Sequence, residues 1–297
     1  MSNRFSAVRL GLAIVLAALV ATACSFTRFG YNQADTLAAW MADEYFDLDG
    51  QQKQEFSTRF GRFYAWHRNE QLPEYAAFLH TAQGKVKQGI ARQDVLWFVD
   101  GLRTRVRTAA RQGAPEAAAF LATLTPAQIE NLQKKWEKDN RKYVKENKVN
   151  GSAEERAEVE AKKVVKTFKE WLTPLTDAQE TRVAAMVREL PPIDQFRYAE
   201  RLRRQKEFIA LLQHRNEDRE RFTRLVGDYL ANWDKGRTAD EQKRLDAWWQ
   251  KRADIFVALD KSMSAEQRTA SIAKMQGYIE DFTQLAGKSS SSRTAAR

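Results

Sequence analysis

The chain has 297 residues and a formal net charge of +10, with 30% charged residues, 13 glycines and one cysteine. That composition excludes a disulfide framework and a disordered or glycine-rich fibrous chain, and it leaves room for one large helical domain or two small ones. The positive excess favours acidic partners: anionic lipid headgroups, polyanionic sugars or acidic proteins.

The first predicted element is a leader, residues 1–23. Arg4 and Arg9 precede an uncharged apolar run from Leu10 to Val20, which is shorter than the roughly 20 residues a membrane-spanning helix needs. Small residues, Ala21-Thr22-Ala23, then lead to Cys24. Val20-Ala21-Thr22-Ala23-Cys24 resembles a bacterial lipobox, with Ala21 where leucine is usual. The resemblance implies a cysteine that is lipidated on sulfur, released by cleavage and acylated on its new amine. Ser25, rather than Asp, follows Cys24 and points to outer-membrane sorting, on the periplasmic side. Residues 24–32 are expected to act as a tether.

From Asp35 onward the apolar residues recur at helical spacing and no run alternates with period 2. Phe56, Phe60, Phe63 and Tyr64 open the series. Val95, Val99, Leu102 and Val106 follow, then Ile129, Leu132 and Trp136, then Val164, Phe168 and Trp171. The C-terminal third continues it through Phe222, Leu225 and Tyr229, through Leu245, Trp248 and Ile255, and through Ile272, Met275 and Ile279. The predicted fold is all-α: an elongated multi-helix bundle of amphipathic helices.

Six helix starts carry a capping-box pattern, beginning at Asp49, Thr125, Ser152, Thr176, Thr238 and Ser264. In each, a side-chain oxygen caps the first turn and a Glu or Gln three residues on reaches back. Breaks are expected at Gly84 to Gly89, Gly113-Ala114-Pro115, Asn150-Gly151, Pro191-Pro192 and Lys235-Gly236. Pro191-Pro192 would separate an N-terminal region, 33–190, from a C-terminal one, 191–286. Residues 287–297 are expected to form a flexible tail.

The sequence shows no nucleophile elbow, zinc-binding His-Glu pair or phosphate-cradling glycine loop, and His67, His80 and His214 are scattered. A non-enzymatic protein without cofactor or metal is expected. Two stretches are candidates for binding. In the first, Arg59, Arg62 and Trp66 share one helical face, while Phe63, His67 and Glu70 share another, and Arg68 lies between. This arrangement suits an anionic or aromatic group, or else core aromatics with arginines paired to acids. The second is a basic stripe, Lys134, Lys138, Arg141, Lys145 and Lys148, suited to anionic headgroups or an acidic partner. Expected partners are thus the membrane, through lipidated Cys24, and an envelope protein or anionic lipid. An exported chain seldom meets nucleic acid.

The run from Tyr31 to Trp40, Leu48 to Gln52, Trp66 to Tyr75 and the closing run Ser264 to Leu285 resemble a family of uncharacterised all-helical lipoproteins of Gram-negative bacteria. That resemblance implies an envelope lipoprotein and brings no catalytic residue. Leu124-Thr125-Pro126-Ala127-Gln128 and Leu175-Thr176-Asp177-Ala178-Gln179 are similar to the Leu-Thr-x-x-Gln motif of Spy/CpxP-type periplasmic chaperones, which implies holdase-like binding. A lipid- or glycolipid-binding envelope module is the alternative.

Overall fold

The computed structural model describes residues 27–172 and 174–294, so the leader, Cys24 and Ser25 lie outside the described residues. A short helical segment, 27–32, leads into eleven α-helices, with no strand among the described residues. They are α1 (Ala34–Phe46), α2 (Gly50–Trp66), α3 (Leu72–Gln88), α4 (Arg92–Leu121), α5 (Pro126–Glu146) and α6 (Ala153–Trp171). The chain continues through α7 (Asp177–Arg188), α8 (Asp194–Gln213), α9 (Arg219–Ala231), α10 (Ala239–Ser262) and α11 (Ala265–Thr294). The protein is an all-α multi-helix bundle.

All six expected capping boxes form. The cap oxygens of Asp49, Thr125, Ser152, Thr176, Thr238 and Ser264 each accept from the backbone N–H three residues on. Four of these starts meet in pairs. At the first crossing Gln52 and Gln128 are both buried and exchange amide hydrogen bonds, while Gln52 also donates to Thr123 O and Gln128 to Asp47 O. At the second, Gln179 and Gln267 repeat the arrangement, donating to Ser262 O and Pro174 O.

The 30-residue α4 forms the spine, about 45 Å long at 1.5 Å per residue. It packs against α2, α3, α9 and α10. The break expected at Gly113-Ala114-Pro115 does not occur: α4 runs straight through Pro115. Close packing on both sides holds this stretch, since Ala114 and Ala118 are buried and a Cβ at Gly113 would press on the Phe63 ring at 3.3 Å. A Cβ at Gly101 would run into the Phe78 ring, so glycine there sets how closely α3 approaches the spine.

One core gathers Ala42, Leu48, Ala114, Phe120, Leu132, Leu212, Phe222 and Val226. Another gathers Val164, Phe168, Val183, Val187, Ile255 and Leu259. A small cluster of Ile193, Phe196 and Trp248 lies beside it. Both larger cores draw residues from either side of Pro191-Pro192, so these prolines turn the chain without dividing its hydrophobic interior. Residues 27–32 are helical and folded onto the bundle, and α11 continues to Thr294, one backbone hydrogen bond sustaining each added residue.

Candidate functional site

Pro73 shapes the region where the sequence places its richest cluster. Proline has no N–H to give and its ring crowds the carbonyl four residues earlier, here that of Asn69. Between α2 and α3 the chain therefore takes a π turn, His67–Gln71, in which Leu72 N–H reaches back five residues to His67 O. The rod from Gly50 to Gln88 continues, but the wider turn lets His67 and Arg68 both face the segment 27–32. Such turns recur at functional positions.

The contacts there form a dock. The Tyr31 hydroxyl and His67 Nδ1 are 2.9 Å apart, and Tyr31 stacks on Tyr64 with ring centroids 5.0 Å apart. Tyr64 donates its hydroxyl to Tyr31 O at 2.6 Å. Arg68 lies over both tyrosine rings, 5.4 and 5.1 Å from their centroids, and donates to Tyr64 and Asn32. Tyr75 meets the His67 ring edge-on and passes the contact to Phe282 of α11. Lower on the same segment, Arg28 pairs with buried Asp281 at 3.0 Å and donates to Gln284.

Burial sets the protonation of the dock. It lowers the pKa of His67, which is neutral in the fold, and raises those of Tyr31, Tyr64 and Tyr75, which keep their protons. Arg68 supplies the positive charge, facing ring faces and oxygen acceptors.

The other predicted residues divide. Arg59 and Arg62 both pair with Glu116 of α4, at 3.2 and 2.7 Å, and Arg59 also pairs with Glu55. These two arginines hold the carboxyl of Glu116 below its ordinary pKa, and Glu116 ties α2 to the spine. Trp66 rests on Phe63 and His67. Glu70 is exposed, because the π turn carries it off the face of Phe63 and His67 that regular spacing assigns it. Lys134, Lys138, Arg141 and Lys145 are exposed along α5, with Lys134 paired to Glu130, whereas Lys148 lies past the end of α5 in a turn at φ +51°, so the expected stripe stops one residue short. Of the adjacent tryptophans, Trp248 is the buried one, with the guanidinium groups of Arg197 and Arg252 at 4.6 and 4.9 Å from its ring.

Composition alone does not mark Tyr31 as a partner of the π turn or Arg28 as a partner of α11, since both lie in the stretch expected to be a tether. The signal that points there is Pro73 inside an otherwise helical pattern. Among the described residues no group of three or more His, Cys, Asp or Glu is placed to hold a metal. Nor is any helix there long and apolar enough to cross a membrane.

These features define an all-α multi-helix protein whose N-terminal segment is locked onto its own bundle. Over residues 44–252 the chain matches a family of unknown function, DUF6279, and it belongs to that family. No curated protein and no solved structure matches it.

Proposed function

We propose that this is a lipid-anchored protein of the Gram-negative envelope, attached through Cys24 to the periplasmic side of the outer membrane, which works by binding or scaffolding rather than by catalysis. The observation that carries this reading is the dock at Tyr31 and His67. A lipoprotein body on a loose tether samples every orientation, whereas a segment clamped by ring stacking and ion pairs passes the position of the anchor to the whole bundle. Cys24 lies three residues before the helical segment, a reach of about 11 Å at full extension. An anchor so close suits a protein that presents a fixed face to a partner.

The test is to fractionate cells carrying the natural chain or Cys24→Ser, measure the mass of each mature protein, and crosslink in cells to identify partners. The expected result is an outer-membrane protein with acylated Cys24, and loss of both membrane attachment and partners in Cys24→Ser. Equal location and equal partners for the two forms would defeat the reading.

A holdase-like version draws support from the middle of α4, where Leu102 and Val106 are exposed side by side, one turn apart. The alternative, a lipid- or glycolipid-binding module, draws support from a groove of about 610 Å³ between α6 and α7. Its apolar lining is Ala161, Val165 and Ala184, with Lys162, Lys166 and Arg188 beside them. Native mass spectrometry of the purified protein decides this point: a co-purifying acidic lipid favours the module, and a clean apo mass counts against it.

A further inference from the structure

The exposed large apolar residues are unevenly placed. Phe29, Leu37, Trp40 and Met41, exposed by 64, 54, 60 and 46%, all belong to the helical arm 27–46. At 3.6 residues per turn, Leu37, Trp40 and Met41 share one face of α1, and Phe29 lies exposed on the short helical segment before the turn at Gln33. From Leu37 to Met41 the stripe on α1 rises about 6 Å. The opposite face of α1 enters the bundle through Ala42 and Phe46, so the exposed stripe points away from the core.

A second observation gives this face a chemistry. Besides α2, α1 packs on α5, joined to it by Tyr45 to Asp139 at 2.6 Å, Asn131 to Tyr45 O at 3.1 Å and Lys135 to Glu44 at 3.3 Å. Leu132, Ile129 and Trp136 of α5 enter the core that receives Ala42 and Phe46. Lys134, Lys138, Arg141 and Lys145 recur at i, i+4, i+7 and i+11 on the opposite side of α5. Two touching helices thus share a core and turn outward, one an apolar stripe and the other a cationic one. An aromatic and aliphatic stripe flanked by lysine and arginine suits the headgroup boundary of an anionic bilayer. In the sequence the arm begins three residues after Cys24, so a lipid on that cysteine would hold the arm close to the bilayer.

We propose that the arm 27–46 and the outer face of α5 form a membrane-contact surface for anionic phospholipid, with Trp40 as its central anchor. The stripe enters the boundary between headgroups and acyl chains, and the α5 cations meet the phosphates. The dock at Tyr31 and His67 keeps the arm fixed to the bundle, so the contact sets which side of the body faces the periplasm. The inference rests on the envelope reading above and adds an orientation to it.

The test uses the full chain purified from membranes, with an intact mass to report the state of Cys24. It is reconstituted into vesicles of phosphatidylethanolamine and phosphatidylglycerol whose acyl chains carry bromine, which quenches tryptophan. The natural chain should be quenched, and Trp40→Phe should lose most of that quenching while keeping its circular dichroism. Lys138→Glu with Lys145→Glu should weaken quenching in these vesicles and leave it unchanged in phosphatidylcholine. Equal quenching of the natural chain and Trp40→Phe, with Cys24 acylated, overturns the contact surface and leaves the anchor standing. An unacylated chain whose Trp40 is still quenched overturns the anchor and leaves the surface standing. Concentration-dependent self-association abolished by Trp40→Ser, with no lipid quenching, assigns the face to a second copy of the chain and also overturns the proposal.

Discussion

Gln52 and Gln128 each serve two helix starts at once. Gln52 Oε1 accepts from Asp49 N–H, its own cap, and from the Gln128 amide at 2.6 Å; its Nε2 donates to Gln128 at 3.0 Å and to Thr123 O. Gln128 mirrors this with Thr125 N–H and Asp47 O. Two buried amides thereby fill their hydrogen-bonding capacity while joining α2 to α5, and Gln179 with Gln267 do the same for α7 and α11.

Removing one member of such a pair leaves the other amide buried without a partner, which costs about 1–3 kcal/mol. Gln128→Leu is expected to lower the urea midpoint accordingly, and Gln52→Leu likewise. The double variant should cost less than the two losses added together, because no orphaned amide remains between them. Strict additivity in a double-mutant cycle would show that the exchanged bonds do not couple the helices.

Asp260 makes a comparable join at the opposite end of the spine. Its carboxylate is buried at the end of α10, accepts from Ile90 N–H at 3.2 Å and pairs with Arg268 at 2.8 Å. Arg268 donates in turn to Val86 O at the end of α3 and to Asp260 O. Asp260→Ala removes the acceptor between two turns and leaves a half-buried guanidinium without its carboxylate. A loss of about 2–3 kcal/mol is expected in chemical unfolding. Arg92→Ala is the control: its partner Asp254 is half-exposed and the guanidinium largely exposed, so the loss should stay below about 1 kcal/mol.

The dock should respond to mild acid. Burial lowers the folded pKa of His67 below its ordinary value of about 6.5, so the unfolded chain binds the proton first as pH falls. The stabilisation is complete above that ordinary value and declines as pH drops from it through the lowered folded value. Tyr31, Tyr64 and Tyr75 stay protonated across this range, so none of them adds to the slope. His67→Gln should unfold more easily at neutral pH yet lose this part of the pH dependence. The same slope in His67→Gln as in the natural chain would assign it to other groups.

How legible these features were depends on their range. Capping boxes at Asp49, Thr125, Ser152, Thr176, Thr238 and Ser264 involve neighbours within four residues, so local sequence shows them and the structure contains all six. That Gln52 meets Gln128 was not legible, because the partner sits on another helix and any capping box has the same pattern. Pro115 and Pro73 carry the same local signal and end differently: α4 continues unbroken through Pro115, beside buried Ala114 and Ala118, whereas at Pro73 the chain inserts a π turn. Arg59 and Arg62 looked available for a ligand until Glu116, 54 residues beyond Arg62, arrived beside them. Periodicity also reports which face is apolar and not whether another helix covers it.

The spine shows that last gap most directly. Val95, Val99, Leu102 and Val106 form one apolar stripe, but only Val95 is buried, and Leu102 and Val106 are 45 and 55% exposed. The stripe enters a core at Phe120, so it is covered at Val95 and at Phe120 and bare at the waist between them. Arg103 and Arg105 on either side are turned aside, onto Trp249 and Phe78. Since both side chains are about half exposed and belong to neither large core, Leu102→Ser with Val106→Ser should change stability by no more than about 0.5 kcal/mol per site. If the holdase-like version is correct, the same double variant should suppress aggregation of a model unfolded protein much less well than the natural chain. Undiminished suppression at unchanged stability would remove the α4 waist as the client-binding face.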